Sequence, residues 1–150
     1  MIPGRSVGTV WVAWCKLRYM ATMIDHAFAQ RFAAEWIAAW NAGDLERVFA
    51  LYRDDFEMRS PLIAERGFAA SGVLRGKGAI RPYWGGGIAK ASPPLQFQLI
   101  HAYAGVGTVA LHYRSVGRQY VIEVIELDDT GLGVRGCACH GAADTETRHE

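Results

Sequence analysis

The apolar positions between residues 25 and 52 recur every three or four residues, which is the spacing of helices with one buried face. This pattern predicts a first helix over 25–41, whose buried stripe consists of Phe28, Phe32, Trp36 and Trp40. Asp25 is the expected N-cap, and Gly43 ends the helix because glycine tolerates a positive φ angle. Asp44 then begins a second helix, whose buried positions are predicted to be Leu45, Val48, Phe49 and Tyr52.

After Asp55 the apolar period changes from about four to two, which is typical of strands. The first predicted strand places Phe56, Met58 and Ser60 on one side and ends at Pro61. Residues 62–72 are predicted to be a loop, and a short strand follows over 73–75. A third helix is predicted from about residue 78, and we expect the run 85–87 (Gly-Gly-Gly) to interrupt it, because each glycine costs a helix about 1 kcal/mol relative to alanine.

The second half of the chain consists of alternating segments, predicted as strands over 95–104, 108–116, 118–127 and 134–140. In the third of these, Glu123 shares a face with Val121, Ile125 and Leu127. Helices first and an antiparallel meander afterwards predict an α+β domain with the helices packed on one face of the sheet.

Composition narrows the class of protein. A chain of 150 residues with a formal net charge of +1 is one domain without the basic surface of a nucleic-acid binder. No apolar run approaches the ~20 residues of a membrane helix. Cys137 and Cys139 fall on one strand about 6–7 Å apart, too far for a disulfide, and Cys15 is remote in sequence. We therefore expect a reduced, cytoplasmic protein.

The ends of the chain are predicted to be peripheral. Residues 1–22 loosely imitate a secretory signal, but their apolar run is short and no cleavage site follows. An N-terminal extension, or a true start near Met20 or Met23, is the preferred interpretation. Residues 23–141 are assigned to the domain, and residues 142–150 to a polar tail.

Three segments carry a resemblance to a known family: AAWNAGDLERVFALYRDDF at 38–56, GVLRGKGAIR at 72–81 and ELDDTG at 126–131. In this order and spacing they resemble the nuclear transport factor 2-like superfamily, which includes the SnoaL-like polyketide cyclases and the steroid Δ-isomerases. The resemblance implies a cone-shaped, curved antiparallel sheet wrapped around N-terminal helices, the cystatin-like arrangement, with one deep pocket. It also implies a homodimer formed through the sheet.

The steroid isomerases of this family use three groups whose positions can be assigned here by motif. The proton-shuttling carboxylate precedes the proline that ends the first strand, which is Ser60 in this chain. The oxyanion-hole tyrosine corresponds to Trp36, and the protonated oxyanion-hole acid corresponds to Glu123. Two of the three groups are therefore missing, and the resemblance does not imply steroid isomerisation by that machinery.

Glu123 is the candidate general acid or base, because apolar neighbours raise the pKa of a carboxyl group toward neutrality. The alternative is a structural glutamate paired with Arg114 or Arg118. Tyr52 is the candidate hydrogen-bond donor to a carbonyl oxygen. The expected ligand-binding residues are Trp36, Trp40, Met58, Ser60, Trp84 and Val121. The alternative for the aromatic residues is a plain hydrophobic core.

Two further groups of residues are candidates for chemistry. His101, His112 and Arg114 face either the cavity or a second subunit, and the interface is preferred. Cys137, Cys139 and His140 do not form a metal site, because His140 points away from both thiols on a strand; the two cysteines are expected to be buried. No cofactor is expected, since the sequence contains no phosphate-binding loop or dinucleotide motif.

Three functions remain open at this stage. The first is a cofactor-free cyclase, isomerase or hydrolase that moves protons on a small hydrophobic molecule. The second is a non-catalytic binder of such a molecule, and the third is a dimerisation module whose interior is filled by its own side chains. Fold alone does not choose between them.

Overall fold

The computed structural model describes residues 23–143, apart from the side chains of Arg118 and Ala143. Four helices precede or separate the strands: α1 (His26–Asn41), α2 (Leu45–Phe49), α3 (Pro61–Glu65) and α4 (Lys77–Lys90). The strands are β1 (Tyr52–Arg59), β2 (Val73–Arg75), β3 (Gln98–Gly105), β4 (Thr108–Arg114), β5 (Gln119–Leu127) and β6 (Gly133–Ala143). The predicted extension, 1–22, lies outside the described residues, and the predicted tail begins inside β6.

The six strands form one curved, unclosed sheet in the order β2-β1-β6-β5-β4-β3. All neighbouring strands are antiparallel except β1 and β6, which run parallel. Helix α1 packs against β3 and β4, and the hydrophobic core lies between the helices and the inner face of the sheet. The predicted α+β class, with leading helices and a curved sheet, is confirmed.

Local signals placed the first helix correctly. The Asp25 side chain accepts a hydrogen bond from the Phe28 backbone N–H, as expected of an N-cap. Asp44 does the same for Arg47 at the start of α2, and Gly43 between the two helices has a φ of 65°. The tight corner between α1 and α2 therefore follows from capping chemistry and one left-handed glycine.

Three predictions of secondary structure were wrong. Tyr52 begins β1 instead of ending α2, and the segment predicted as a loop contains α3, which Ser60 caps through the Leu62 N–H. Helix α4 continues through the three glycines to Lys90. Its buried side chains, Ile80, Tyr83 and Trp84, hold it against the core, and this packing outweighs the low helix propensity of glycine.

The alternation of buried and exposed residues along β4 settles which face His112 and Arg114 occupy. Val109, Leu111 and Tyr113 are buried, whereas His112 and Arg114 occupy the opposite, outer face. There the Arg114 guanidinium donates to the Tyr120 hydroxyl oxygen. These two residues therefore lie outside the core, on the side where the sequence analysis places a subunit interface.

Candidate functional site

A cavity of about 290 Å³ lies between α1, α4 and the inner face of the sheet. Six aromatic rings form much of its wall: Trp36, Trp40, Tyr83, Trp84, Phe97 and Tyr113. The rings support one another, and the centroids of Trp40 and Trp84 lie 5.2 Å apart. Apart from the two tyrosines, polar side chains line the cavity at five positions, which are Arg66, Ser115, Gln119, Glu123 and His140. A mainly apolar wall with few polar groups is typical of small-molecule sites.

Glu123 is the buried acid of this cavity. It lies on β5, opposite Leu111 of β4 and Ala138 of β6, and only 3% of its surface is exposed. No described residue forms a hydrogen bond or ion pair with its carboxyl group. Of the two predicted alternative partners, Arg114 lies on the outer face of β4, away from Glu123, and the side chain of Arg118 lies outside the described part of the chain. Burial raises the pKa of Glu123 from 4.5 to about 8. The carboxyl group is therefore mostly protonated at neutral pH.

Tyr52 lies behind the cavity wall. It is fully buried, and its hydroxyl oxygen accepts a 2.8 Å hydrogen bond from Trp36 Nε1. Burial, and secondarily the Glu123 charge, raises the pKa of Tyr52, so its hydroxyl stays neutral. Tyr52 is not among the described residues that line the cavity. Its clearest structural contribution is to hold the Trp36 ring in place.

Replacing Tyr52 with phenylalanine is expected to lower the free energy of unfolding by ~2 kcal/mol, because the buried Trp36 N–H loses its acceptor. Urea denaturation followed by circular dichroism measures this loss. Tyr103→Phe is the matched control, since Tyr103 is exposed on β3 and we expect a change below about 0.5 kcal/mol. Equal stabilities of the two variants would contradict the assigned role of the Tyr52 hydroxyl.

A second polar group connects three elements beside Glu123. The Tyr83 hydroxyl donates to Ser60 Oγ over 3.4 Å, and Ser60 Oγ lies 3.5 Å from His140 Nε2. Because Ser60 Oγ also accepts from the Leu62 N–H, its own proton is available for His140. Burial lowers the pKa of His140, which keeps the imidazole neutral at pH 7. His140 Nδ1 is buried and has no hydrogen-bond partner among the described residues.

Glu123 and His140 face the same space. Ala138 is the direct cross-strand partner of Glu123, and His140 lies two residues further along the same face of β6. Diagonal neighbours on adjacent strands have Cβ atoms about 7–8 Å apart. A neutral carboxylic acid and a neutral imidazole thus flank one apolar cavity, so that one can donate a proton and the other can accept one.

The structure brings together part of the predicted site. Trp36, Trp40, Met58, Trp84 and Glu123 line the cavity. Ser60, Tyr52 and Val121 do not belong to its described lining; Val121 is packed in the core. Sequence reasoning missed Arg66, Tyr83 and His140. Strand alternation had already placed His140 opposite the two cysteines, which was a usable signal, but Arg66 lies in a segment without a pattern.

The two described cysteines, Cys137 and Cys139, are free thiols on β6. Cys139 is exposed, so the expectation that both thiols are buried was wrong. Burial, followed by the neighbouring Cys139, raises the pKa of Cys137. Within residues 23–143, no group of three or more His, Cys, Asp or Glu side chains is arranged to hold a metal ion.

Comparison with known proteins is consistent with this architecture. The family model of the SnoaL-like domain matches residues 33–146. A SnoaL-like protein of unknown function from Burkholderia thailandensis E264 is 39% identical, with a TM-score of 0.76 over 80% of this chain and 99% of that one. No curated protein matches the chain.

More distant solved structures share the fold. A protein from Kribbella flavida DSM 17836, described as a putative ketosteroid isomerase, is 17% identical over 80% of this chain and 82% of that one, with a TM-score of 0.58. The epoxide hydrolase/cyclase-like enzyme SalBIII, which has a role in pyran ring formation in salinomycin, is 17% identical over 80% and 95%, with a TM-score of 0.62. None of the helices in the described stretch has the length and apolar character needed to span a membrane.

Proposed function

The chain belongs to the SnoaL-like domain family, and we propose that its cavity binds a small hydrophobic carbonyl compound, to which Glu123 donates a hydrogen bond as the general acid and from which His140 takes a proton. The observation that carries this proposal is a buried carboxyl group that lines an aromatic cavity and has no partner among the described residues. Burying a carboxyl group without a hydrogen-bond partner costs free energy of folding. Buried groups with a shifted pKa are concentrated at functional sites.

The chemistry follows from the protonation states. A protonated Glu123 donates a hydrogen bond to the carbonyl oxygen of the bound compound and stabilises the negative charge that develops there. The proton leaves the carbon atom beside that carbonyl group and moves to Nε2 of the neutral His140 imidazole, which gives up the hydrogen bond that it accepts from Ser60 Oγ. If the bound compound has a double bond between its β and γ carbons, returning this proton to the γ carbon moves the double bond into conjugation and completes an isomerisation, and no atoms are gained or lost. Ser60, hydrogen-bonded to Tyr83, holds the imidazole in place.

Binding is tested with N-phenyl-1-naphthylamine, a neutral fluorophore whose emission rises in apolar surroundings. We expect saturable binding that is at least about tenfold weaker in Ala138→Leu, because the added side chain occupies the cavity. Ala110→Leu, at an outer position of β4, is the control and is expected to bind like the parent protein. Absence of saturable binding, or equal affinities of both variants, would refute the cavity as a binding site.

A non-catalytic binder is the second candidate, favoured by Ser60 at the position of the steroid isomerases' proton-shuttling carboxylate. Deuterium exchange of 2-tetralone in D2O, followed by proton NMR, separates the two. Proton transfer predicts faster exchange with the parent protein than with Glu123→Gln, at similar affinity for the fluorophore. Equal exchange rates of the two proteins would exclude the Glu123 role, and exchange no faster than in buffer alone would leave the binder. The homodimer and the cytoplasmic location stay predictions.

A further inference from the structure

The mouth of the cavity carries two basic side chains, Arg66 and Lys90, that form no ion pair with the described residues. We propose that the ligand is an amphipathic acid, whose hydrophobic body fills the cavity while its anionic group binds Arg66 and Lys90 at the mouth. This inference rests on the proposed binding function and adds the chemical class of the ligand.

The cavity adjoins a second, outer depression of about 550 Å³. The two spaces share five lining residues, which are Arg66, Tyr83, Gly87, Leu95 and Val116. Along α4, Tyr83, Gly87 and Lys90 follow the spacing of one helix face. A molecule held by the aromatic wall thus extends past Tyr83 into a space that Arg66 and Lys90 border.

Arg66 contacts an aromatic ring and the backbone of α4, and none of these contacts is with an acidic side chain. Its guanidinium carbon lies 5.7 Å from the centre of the Tyr83 ring. The guanidinium group lies close to α4, since a Cβ atom at position 87 would be in ordinary van der Waals contact with Arg66 Nη1, at 3.6 Å. Neither Arg66 nor Lys90 forms an ion pair with a described residue. Glu65, which is adjacent to Arg66 in the chain, is not within ion-pair distance of either side chain.

Six other arginines on the described surface have an acidic partner. Those with a carboxylate within ion-pair distance are Arg47, Arg53, Arg59, Arg75, Arg81 and Arg135. Arg66 differs from these in lying at a cavity mouth without an acidic partner. A guanidinium group presents parallel N–H donors that match a carboxylate or sulfonate, and Lys90 adds a second charge of the same sign.

Two fluorophores that differ by one anionic group test the inference in the full-length protein. 8-Anilinonaphthalene-1-sulfonate carries a sulfonate that N-phenyl-1-naphthylamine lacks. We expect Arg66→Gln to weaken binding of the sulfonate about fivefold and to change binding of the neutral probe less than twofold. Adding salt is expected to weaken only the sulfonate. Arg31→Gln removes an exposed charge outside the described cavity lining and is expected to leave both affinities unchanged.

Each result decides a separate point. Undiminished binding of the neutral probe shows that Arg66→Gln is folded. If the sulfonate then binds Arg66→Gln as tightly as the parent protein, or loses equal affinity in Arg31→Gln, the anion site is refuted and the hydrophobic cavity stands. If the neutral probe does not bind the parent protein, the proposed function fails first, and the inference fails with it.

Discussion

At pH 9 the Glu123→Gln variant is expected to be more stable than the parent protein by up to about 4 to 5 kcal/mol, whereas at pH 4 the two are expected to be equally stable. The reason is the pKa of Glu123, which burial raises from 4.5 to about 8. Glutamine has nearly the shape of the protonated side chain but cannot ionise.

The sign of this effect follows from proton binding in the two states. Below pH 4.5 the carboxyl group of Glu123 is protonated in both the folded and the unfolded protein, so it contributes no pH dependence. Between pH 4.5 and about 8 the unfolded protein releases the proton while the folded protein retains it, and stability falls as pH rises. Above pH 8 both states are ionised and the difference is constant.

Urea denaturation of both proteins at half-unit pH intervals measures the difference, since other titrating groups are common to both. Glu126→Gln is the control on the same strand: Glu126 faces outward and pairs with Arg135, so we expect its removal to cost less than about 1 kcal/mol at any pH. A difference between Glu123→Gln and the parent protein that does not change between pH 4 and pH 9 would show that Glu123 is not buried as an acid.

Gly133→Ala is expected to destabilise the protein by about 3 kcal/mol, the second large effect. Gly133 of β6 lies beside Tyr52 of β1 in the parallel pair. An added Cβ atom would lie 2.4 Å from Tyr52 Cδ1 and 3.2 Å from Ile125 Cγ2. Both side chains are fully buried and have no space to move into, so the two strands must separate.

Gly86→Ala provides the matched control in α4. No atom lies within 4 Å of the position that its Cβ would take. Alanine is therefore expected to stabilise the protein by about 0.5–1 kcal/mol, through its higher helix propensity. Thermal and urea unfolding of both variants measure the contrast. Equal effects of the two substitutions would contradict the close contact assigned to Gly133.

Local sequence determined much of the helical half of the fold. Capping by Asp25 and Asp44 and the left-handed Gly43 act within a few residues, so they can be recognised without knowledge of the rest of the chain. The alternation of apolar and polar residues also placed Glu123 correctly on the inner face of β5, because successive side chains of a strand point to opposite faces of the sheet.

Where local preference and packing disagreed, packing prevailed. The three glycines of α4 have low helix propensity, but the burial of Ile80, Tyr83 and Trp84 holds the helix on the core. The position of Tyr52 in the sequence fits the spacing of a helix, but the residue begins strand β1. There it pairs with Gly133 of β6, which is 81 residues away in the chain. No short-range pattern contains that contact.

The sequence by itself determined the α+β class, the leading helices and a glutamate among apolar neighbours. Only the tertiary structure decided what surrounds that glutamate: aromatic rings from α1 and α4, His140 from β6 and Arg66 from the end of α3 meet around one cavity. The physical reason is that the two-residue period of a strand and the 3.6-residue period of a helix assign each side chain to a face of its own element. A cavity, and the pKa of an acid inside it, depend instead on groups brought together from distant parts of the chain.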